Sequence, residues 1–240
     1  MKSGIVILHG WGSRIEKWLP FKKELERVGF EAFLPHLPGF GQRVAPQKPW
    51  GINDYAYWVQ DYIKENSLKN YFLVGHSFGG RIAIKIASQN ATNLTGLILM
   101  DSAGIRPRKT LKRLAFWLLA KIGKIFFFLP PFCFFKNWAK WVLYKLAREK
   151  DYYQAKGVMK KTFKKVVSED LRADLRKIGI PTLILWGEKD KMTNLADGIL
   201  MNNLIKDSTL ITFPGAGHDL PLKFSKKAAA EIINFCQKHQ

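Results

Sequence analysis

Six short apolar runs, spaced by longer stretches of helical periodicity, limit most sharply what this chain can fold into. Ile5–Leu8, Ala32–Leu34, Tyr71–Val74, Leu97–Met100, Thr182–Trp186 and Thr209–Phe213 are too apolar for strands with one wet face. They predict strands buried on both sides. Helical patterns fall between and after them, near Glu16–Val28, Asp54–Glu65, Phe78–Gln89, Leu195–Asn203 and Phe224–Lys238. Strand and helix in alternation predict an α/β fold: a mainly parallel sheet of about six strands flanked by helices. With 240 residues the chain holds one such domain and an insertion, but not two full-sized enzyme domains. Apolar residues at 47% and charged ones at 24% exclude a disordered or collagen-like chain.

Residues 106–165, after the fourth run, break the alternation and show no strand pattern. The predicted organisation is therefore a core domain from 1–105 and 166–240, with 106–165 inserted as a helical unit. This insertion holds 17 Lys and Arg against Glu149 and Asp151, so it carries +15 of the chain's net +20. At about 100° per residue, Leu111, Leu114, Leu118, Ile122 and Ile125 share one arc and Lys112, Arg113, Lys121 and Lys124 the other. Lys136 to Arg148 repeats the pattern, with Trp138, Val142 and Leu146 opposite Lys136, Lys140 and Lys145. Basic amphipathic helices of this kind either bury an apolar arc beneath a solvated outer face or contact an anionic lipid surface. The charge alone would suit nucleic acid, but the sequence shows no recognition-helix or zinc-finger pattern, so no nucleic-acid partner is expected. Lys121, Lys124, Pro130 and Pro131 interrupt the longest apolar stretch, Leu114 to Phe135, which argues against a membrane span. Cys133 and Cys236 form neither a disulfide framework nor a zinc pattern. The apolar run Ile5–Leu8 is too short for a signal-peptide core. The expected location is cytoplasmic.

Gly75-His76-Ser77-Phe78-Gly79 has the form G-x-S-x-G, a weak signal in isolation. Its setting strengthens it, because the motif follows the run Tyr71–Val74 and opens the helical pattern Phe78–Gln89. A serine there sits on a sharp strand-to-helix turn with its hydroxyl presented at the sheet edge. The glycines two residues to either side leave room where side chains would strike neighbouring backbone. Four further pieces stand in order around it: His9-Gly10-Trp11-Gly12 after the first run, Leu37-Pro38-Gly39-Phe40-Gly41 after the second, Gly187-Glu188-Lys189-Asp190 after the fifth, and Gly215-Ala216-Gly217-His218 after the sixth. With these pieces the chain resembles the α/β-hydrolase-fold enzymes, of the compact, cap-bearing kind that includes many carboxylesterases. The resemblance covers nearly everything except the insertion. His36 is a departure, standing where relatives often have Asp.

The resemblance implies Ser77 as nucleophile, His218 as the base that takes its proton, and Asp190 as the acid that orients and stabilises the imidazole. Asp190, between Lys189 and Lys191, also reads as a plain surface carboxylate, and Asp101 after the fourth strand is held as the reserve. Backbone N–H groups of Trp11 and Phe78 are implied as oxyanion donors, and the insertion as a cap over the nucleophile. Trp11, Phe78, Phe126 and Trp138 are the expected substrate-binding side chains. No metal or organic cofactor is expected, since His, Asp and Glu do not cluster at ligand spacings. The implied activity is hydrolysis of small apolar carboxylic esters, with lactones, thioesters, amides and carbon–carbon bonds open to the same triad. A non-catalytic protein that binds a small molecule or anionic lipid through the cap is the alternative from a different class.

Overall fold

A computed structural model describes residues 4–106 and 155–240. The six apolar runs are strands of one sheet: β1 (Gly4–Leu8), β2 (Glu31–Phe33), β3 (Tyr71–His76), β4 (Leu94–Met100), β5 (Thr182–Gly187) and β6 (Ser208–Phe213). Their order is β2-β1-β3-β4-β5-β6, and every neighbouring pair is parallel. Because successive side chains of a strand point to opposite faces, Ile5, Ile7, Phe72 and Val74 enter one core while Val6, Leu8 and Leu73 enter the other. The four inner runs are buried throughout because both faces are covered, whereas the edge strands depart from the expected burial on both sides, with Glu31 of β2 and Thr209 and Thr212 of β6 exposed where no further strand covers them.

The helices supply that cover: α1 (Leu19–Glu26), α2 (Ile52–Glu65), α3 (Phe78–Ser88), α4 (Gly157–Ser168), α5 (Arg172–Leu175), α6 (Leu195–Leu204), α7 (Leu220–Lys223) and α8 (Ser225–Lys238). Phe21 and Leu25 of α1 pack with Ala228, Ala229 and Ile232 of α8 on the face of Ile5 and Ile7. On the opposite face α2 buries Ile52, Tyr55, Ala56, Val59 and Ile63, spaced three and four apart as one helical stripe requires. Each large apolar side chain so buried contributes about 1.5–3 kcal/mol. The α2 start is fixed by its own third residue, since the Asp54 carboxylate accepts the Gly51 N–H at 2.6 Å. Helix α3 is buried along its whole length, as expected of the helix that carries the nucleophile turn into the core.

The chain divides into two compact units, residues 1–105 with 157–240, and residues 106–156. The sequence reading carried the insertion to residue 165, whereas α4 belongs to the first unit. Its lysines continue the basic pattern before it, which hid a helix whose other face is anchored in the core. Thr162 and Val166 are buried there, and the Arg81 guanidinium of α3 donates to the carbonyls of Val166 (3.2 Å) and Glu169 (2.9 Å). The helical patterns of Leu111–Phe126 and Lys136–Arg148 lie outside the described residues. Among the described residues no helix is long and apolar enough to cross a membrane.

Candidate active site

The sheet order reverses direction between β1 and β3, and in parallel sheets the crevice at the carboxyl ends of strands at such a point is where ligands collect. Ser77 stands there, one residue past β3, with φ 52 and ψ −113. A non-glycine residue in that conformation costs about 1–3 kcal/mol, which the surroundings must offset. They do so by holding both of its backbone groups: the Ser77 N–H donates to Met100 (3.2 Å), and its carbonyl accepts from Gly80 and Ala103 (3.0 Å each). A Cβ at Gly75 would lie 2.7 Å from the Gly79 carbonyl oxygen, and one at Gly79 would overlap the Leu8 carbonyl. Only hydrogen fits on either side of the turn.

Loops after β5 and β6 bring Asp190 and His218 to the same place. Ser77 Oγ lies 3.0 Å from His218 Nε2, and His218 Nδ1 lies 2.7 Å from Asp190 Oδ2. With the Nδ1–H donated to the carboxylate, Nε2 is left as an acceptor for the serine proton. The His218 side chain is 18% exposed and that of Asp190 fully buried. Burial by itself would push the Asp190 carboxyl up, but the His218 bond and charge, the Thr193 hydroxyl and the Met192 N–H outweigh it and hold the group below its ordinary value. Asp190 Oδ1 accepts the Met192 and Thr193 N–H groups at 2.7 and 3.1 Å, while the Thr193 hydroxyl donates to Oδ2 at 2.7 Å. Every lone pair of this carboxylate that faces protein is aimed.

His9 shapes the turn after β1. Its Nδ1–H donates to the Gly10 carbonyl (2.8 Å), so Nε2 is free to accept the Leu37 N–H (3.3 Å). Burial, and the nearby His36 to a smaller extent, lower its pKa, against the pull of the Gly10 bond, and favour the neutral ring that this pattern needs. A Cβ at Gly10 would lie 3.4 Å from Ser77 Cβ, so the turn runs directly against the nucleophile. Neither the Trp11 nor the Phe78 N–H has a backbone acceptor among the described residues. Above them aromatic rings meet edge to face: Trp11 with Phe40 (4.8 Å), Phe78 (5.1 Å) and Phe163 of α4 (4.9 Å), and Phe78 with Tyr55 (5.0 Å). Trp11 and Phe78 are thus both present at the site, whereas Phe126 and Trp138 lie outside the described residues.

Several contributors carried no strong sequence signal. Phe163 was counted in the insertion. Thr193 is legible only in hindsight, as the residue three beyond an Asp whose carboxylate caps its own turn. His76 donates its Nε2–H to the main-chain carbonyl of His218 at 2.8 Å, which ties the nucleophile turn to the histidine loop. His76, Asp101 and His218 each place a ligand-type atom within 4.8 Å of the others. An ion there would displace existing bonds, because His76 Nε2 and both His218 ring nitrogens are already committed.

Known proteins are similar to this chain along nearly its whole length. A pimeloyl-[acyl-carrier protein] methyl ester esterase of Pseudoalteromonas atlantica is 29% identical over 229 residues, covering 89% of this chain and 86% of its own. The AB hydrolase superfamily protein YisY of Bacillus subtilis is 27% identical over 252 residues, 96% and 90% of the two chains. The structure of an esterase from Exiguobacterium antarcticum superposes with a TM-score of 0.74 at 24% identity, over 99% of this chain and 93% of that one. The parallel sheet and the helices that flank it are accordingly those of an α/β hydrolase, and the chain belongs to the Hydrolase_4 family, serine aminopeptidase S33, whose model matches residues 1–222.

Proposed function

We propose that this protein is a serine hydrolase of carboxylic esters with short to medium apolar acyl groups, working through an acyl-enzyme on Ser77. The observation that carries the reading is the unbroken relay from Ser77 Oγ through His218 to a buried, fully bonded Asp190, at 3.0 and 2.7 Å. Ser77 attacks the ester carbonyl as His218 Nε2 takes its proton, and Asp190 stabilises the imidazolium. The Trp11 and Phe78 N–H groups receive the oxyanion, a contribution of roughly 3 kcal/mol per donor in such sites. His218 then gives the proton to the departing alkoxide, and water attacks the acyl-serine with His218 again as base. The acid leaves and Ser77 regains its hydrogen.

The family's name speaks of aminopeptidases, whose substrates present an ammonium group. Two features of this chain favour a neutral ester instead: the walls beside Ser77 are aromatic, and a net charge of +20, most of it in residues 106–165, disfavours a cationic substrate in general. The esterase name of the Pseudoalteromonas relative supports the same choice. The same excess of charge supports contact of residues 106–165 with an anionic lipid surface. A panel of p-nitrophenyl esters from acetate to palmitate tests the reading. Turnover should be greatest for short and medium chains, and Ser77→Ala should lower kcat/KM by about 1,000-fold or more. Equal turnover by the two proteins would remove Ser77 from its role. No turnover of any ester by the wild type would move the substrate to another acyl class or the protein to binding alone.

A further inference from the structure

A second carboxylate beside His218 has no part in the relay described above. Asp101 follows β4 with a backbone φ of 42, fully buried. Its Oδ1 accepts the Gly187 N–H at 2.8 Å, and its Oδ2, equally buried, makes no well-formed hydrogen bond, although the Leu220 amide faces the carboxylate. An orphaned buried polar atom costs on the order of 1–3 kcal/mol, and left-handed backbone at a non-glycine residue adds to it. The fold accepts both penalties at one residue, and that residue faces the base. An Asp101 carboxylate oxygen lies within 4.8 Å of ring nitrogens of both His218 and His76. Thr193 bridges the two acids, its hydroxyl 2.7 Å from Asp190 Oδ2 and 3.1 Å from the Asp101 main-chain carbonyl.

We propose that Asp101 is a positioning residue for His218, a second acid able to take over the imidazole Nδ1–H when Asp190 is neutralised or removed. This rests on the reading of Ser77 and His218 as nucleophile and base. The groups facing Asp101 are His76 from the end of β3, Asp190 from the loop after β5, His218 from the loop after β6, and the Gly187 and Leu220 amides. Burial first, and then the Asp190 charge, push the Asp101 carboxyl up to about 7, against the Gly187 amide, His218 and the Leu220 amide. With Asp190 ionised, Asp101 therefore gives up its proton less readily than an ordinary carboxyl, and the imidazole Nδ1 is bonded to Asp190 at 2.7 Å. Once the Asp190 charge is gone, its repulsion goes with it. Asp101 then ionises at lower pH, and its unpartnered oxygen becomes a charged acceptor within 4.8 Å of an imidazole nitrogen.

The test compares Asp190→Asn, Asp101→Asn and the double variant, each full length, by ester kinetics and by proton NMR of the His218 Nδ1–H. In the wild-type background Asp101→Asn should lower kcat about two- to threefold, and in the Asp190→Asn background by about tenfold or more, the non-additivity of groups that substitute for one another. The downfield imidazole proton should persist in Asp190→Asn, fade on acidification through the titration of Asp101, and be absent from the double variant. The proposal fails if Asp101→Asn costs the same factor in both backgrounds, or if Asp190→Asn alone has already lost the proton. The proton signal of Asp190→Asn decides the matter even if the double variant does not fold. It also separates this inference from the hydrolase reading, because it reports the Asp101–His218 bond whether or not Ser77 turns over an ester.

Discussion

His76 shows how far a residue beside the nucleophile depends on its surroundings. It is enclosed by Trp18 and the His218 ring at centroid distances of 5.3 and 4.9 Å, with its Nε2–H given to the His218 carbonyl and its Nδ1 unpartnered. Burial, and then the charge of His218, lower its pKa from 6.5 to about 3, so the folded protein keeps this ring neutral. The unfolded chain protonates it near its ordinary pKa. Between pH 6.5 and about 3 the unfolded state thus binds the extra proton, and stability conferred by the neutral ring is lost as the pH falls. Asp101 acts in the opposite sense, since its raised carboxyl favours the folded state as the pH falls from about 7 toward 3.8. The wild-type profile sums the two, and a single substitution separates them. His76→Gln retains a side-chain N–H for the His218 carbonyl but does not titrate. Its unfolding free energy from urea titration should fall less steeply than that of the wild type on acidification from pH 6.5, by up to about 1.4 kcal/mol per pH unit, the value of one proton. Parallel profiles would mean that His76 is not kept neutral by the fold.

At the scale of elements, Arg81 and Lys85 of α3 hold in place the helices that follow residue 156. Lys85 Nζ lies 2.9 Å from Asp174 of α5 and 3.1 Å from Glu169, while the buried Arg81 guanidinium donates to the Val166 and Glu169 carbonyls at the end of α4. The Val166 carbonyl also accepts the Glu169 N–H at 3.4 Å, and a cation at a helix C-terminus complements the helix dipole. Helix α4 carries Phe163, whose ring packs on Trp11, so the anchor reaches the site wall. Arg81→Met keeps the buried stem and removes the donors. It should cost about 2–3 kcal/mol, the effect of losing hydrogen bonds from a charged donor, and speed hydrogen exchange in α4 well beyond that in α3. Equal loss of protection in the two helices would show that Arg81 stabilises the core in general and does not anchor α4. The six strands and the α2 and α3 patterns were legible as sequence because their periodicity survives without knowledge of the partner. Helix α4 was not, because Lys160, Lys161, Lys164 and Lys165 join it in composition to the residues before it. What assigns it to the core is Val166 and Thr162 below and the Arg81 bonds at its end.

Across the whole molecule the charge is unevenly shared, with +15 of +20 in residues 106–165. If that segment meets an anionic lipid surface, the protein should sediment with phosphatidylserine-containing vesicles at low salt and be released at about 0.5 M salt, where the screening length is only a few ångströms. Equal partitioning to neutral vesicles would sink the idea. The sequence by itself determined the sheet, the position of the tight turn at Ser77 and the loops that end in Asp190 and His218. These follow from local rules: runs buried on both faces are apolar throughout, and tight turns demand glycine at fixed offsets. Only the tertiary structure decided which acid meets His218. Asp101 and Asp190 both follow strands, and the Gly187-Glu188-Lys189-Asp190 piece favours Asp190 through resemblance to a family and not through any contact that the sequence records. Asp190 closes on His218 Nδ1 at 2.7 Å with its oxygens otherwise bonded to Met192 and Thr193, whereas Asp101 is turned toward the Gly187 amide with one oxygen left over. Distances between residues 28 to 141 positions apart are set by how the strands are ordered and how the loops above them are capped, and a local pattern in the chain does not record that.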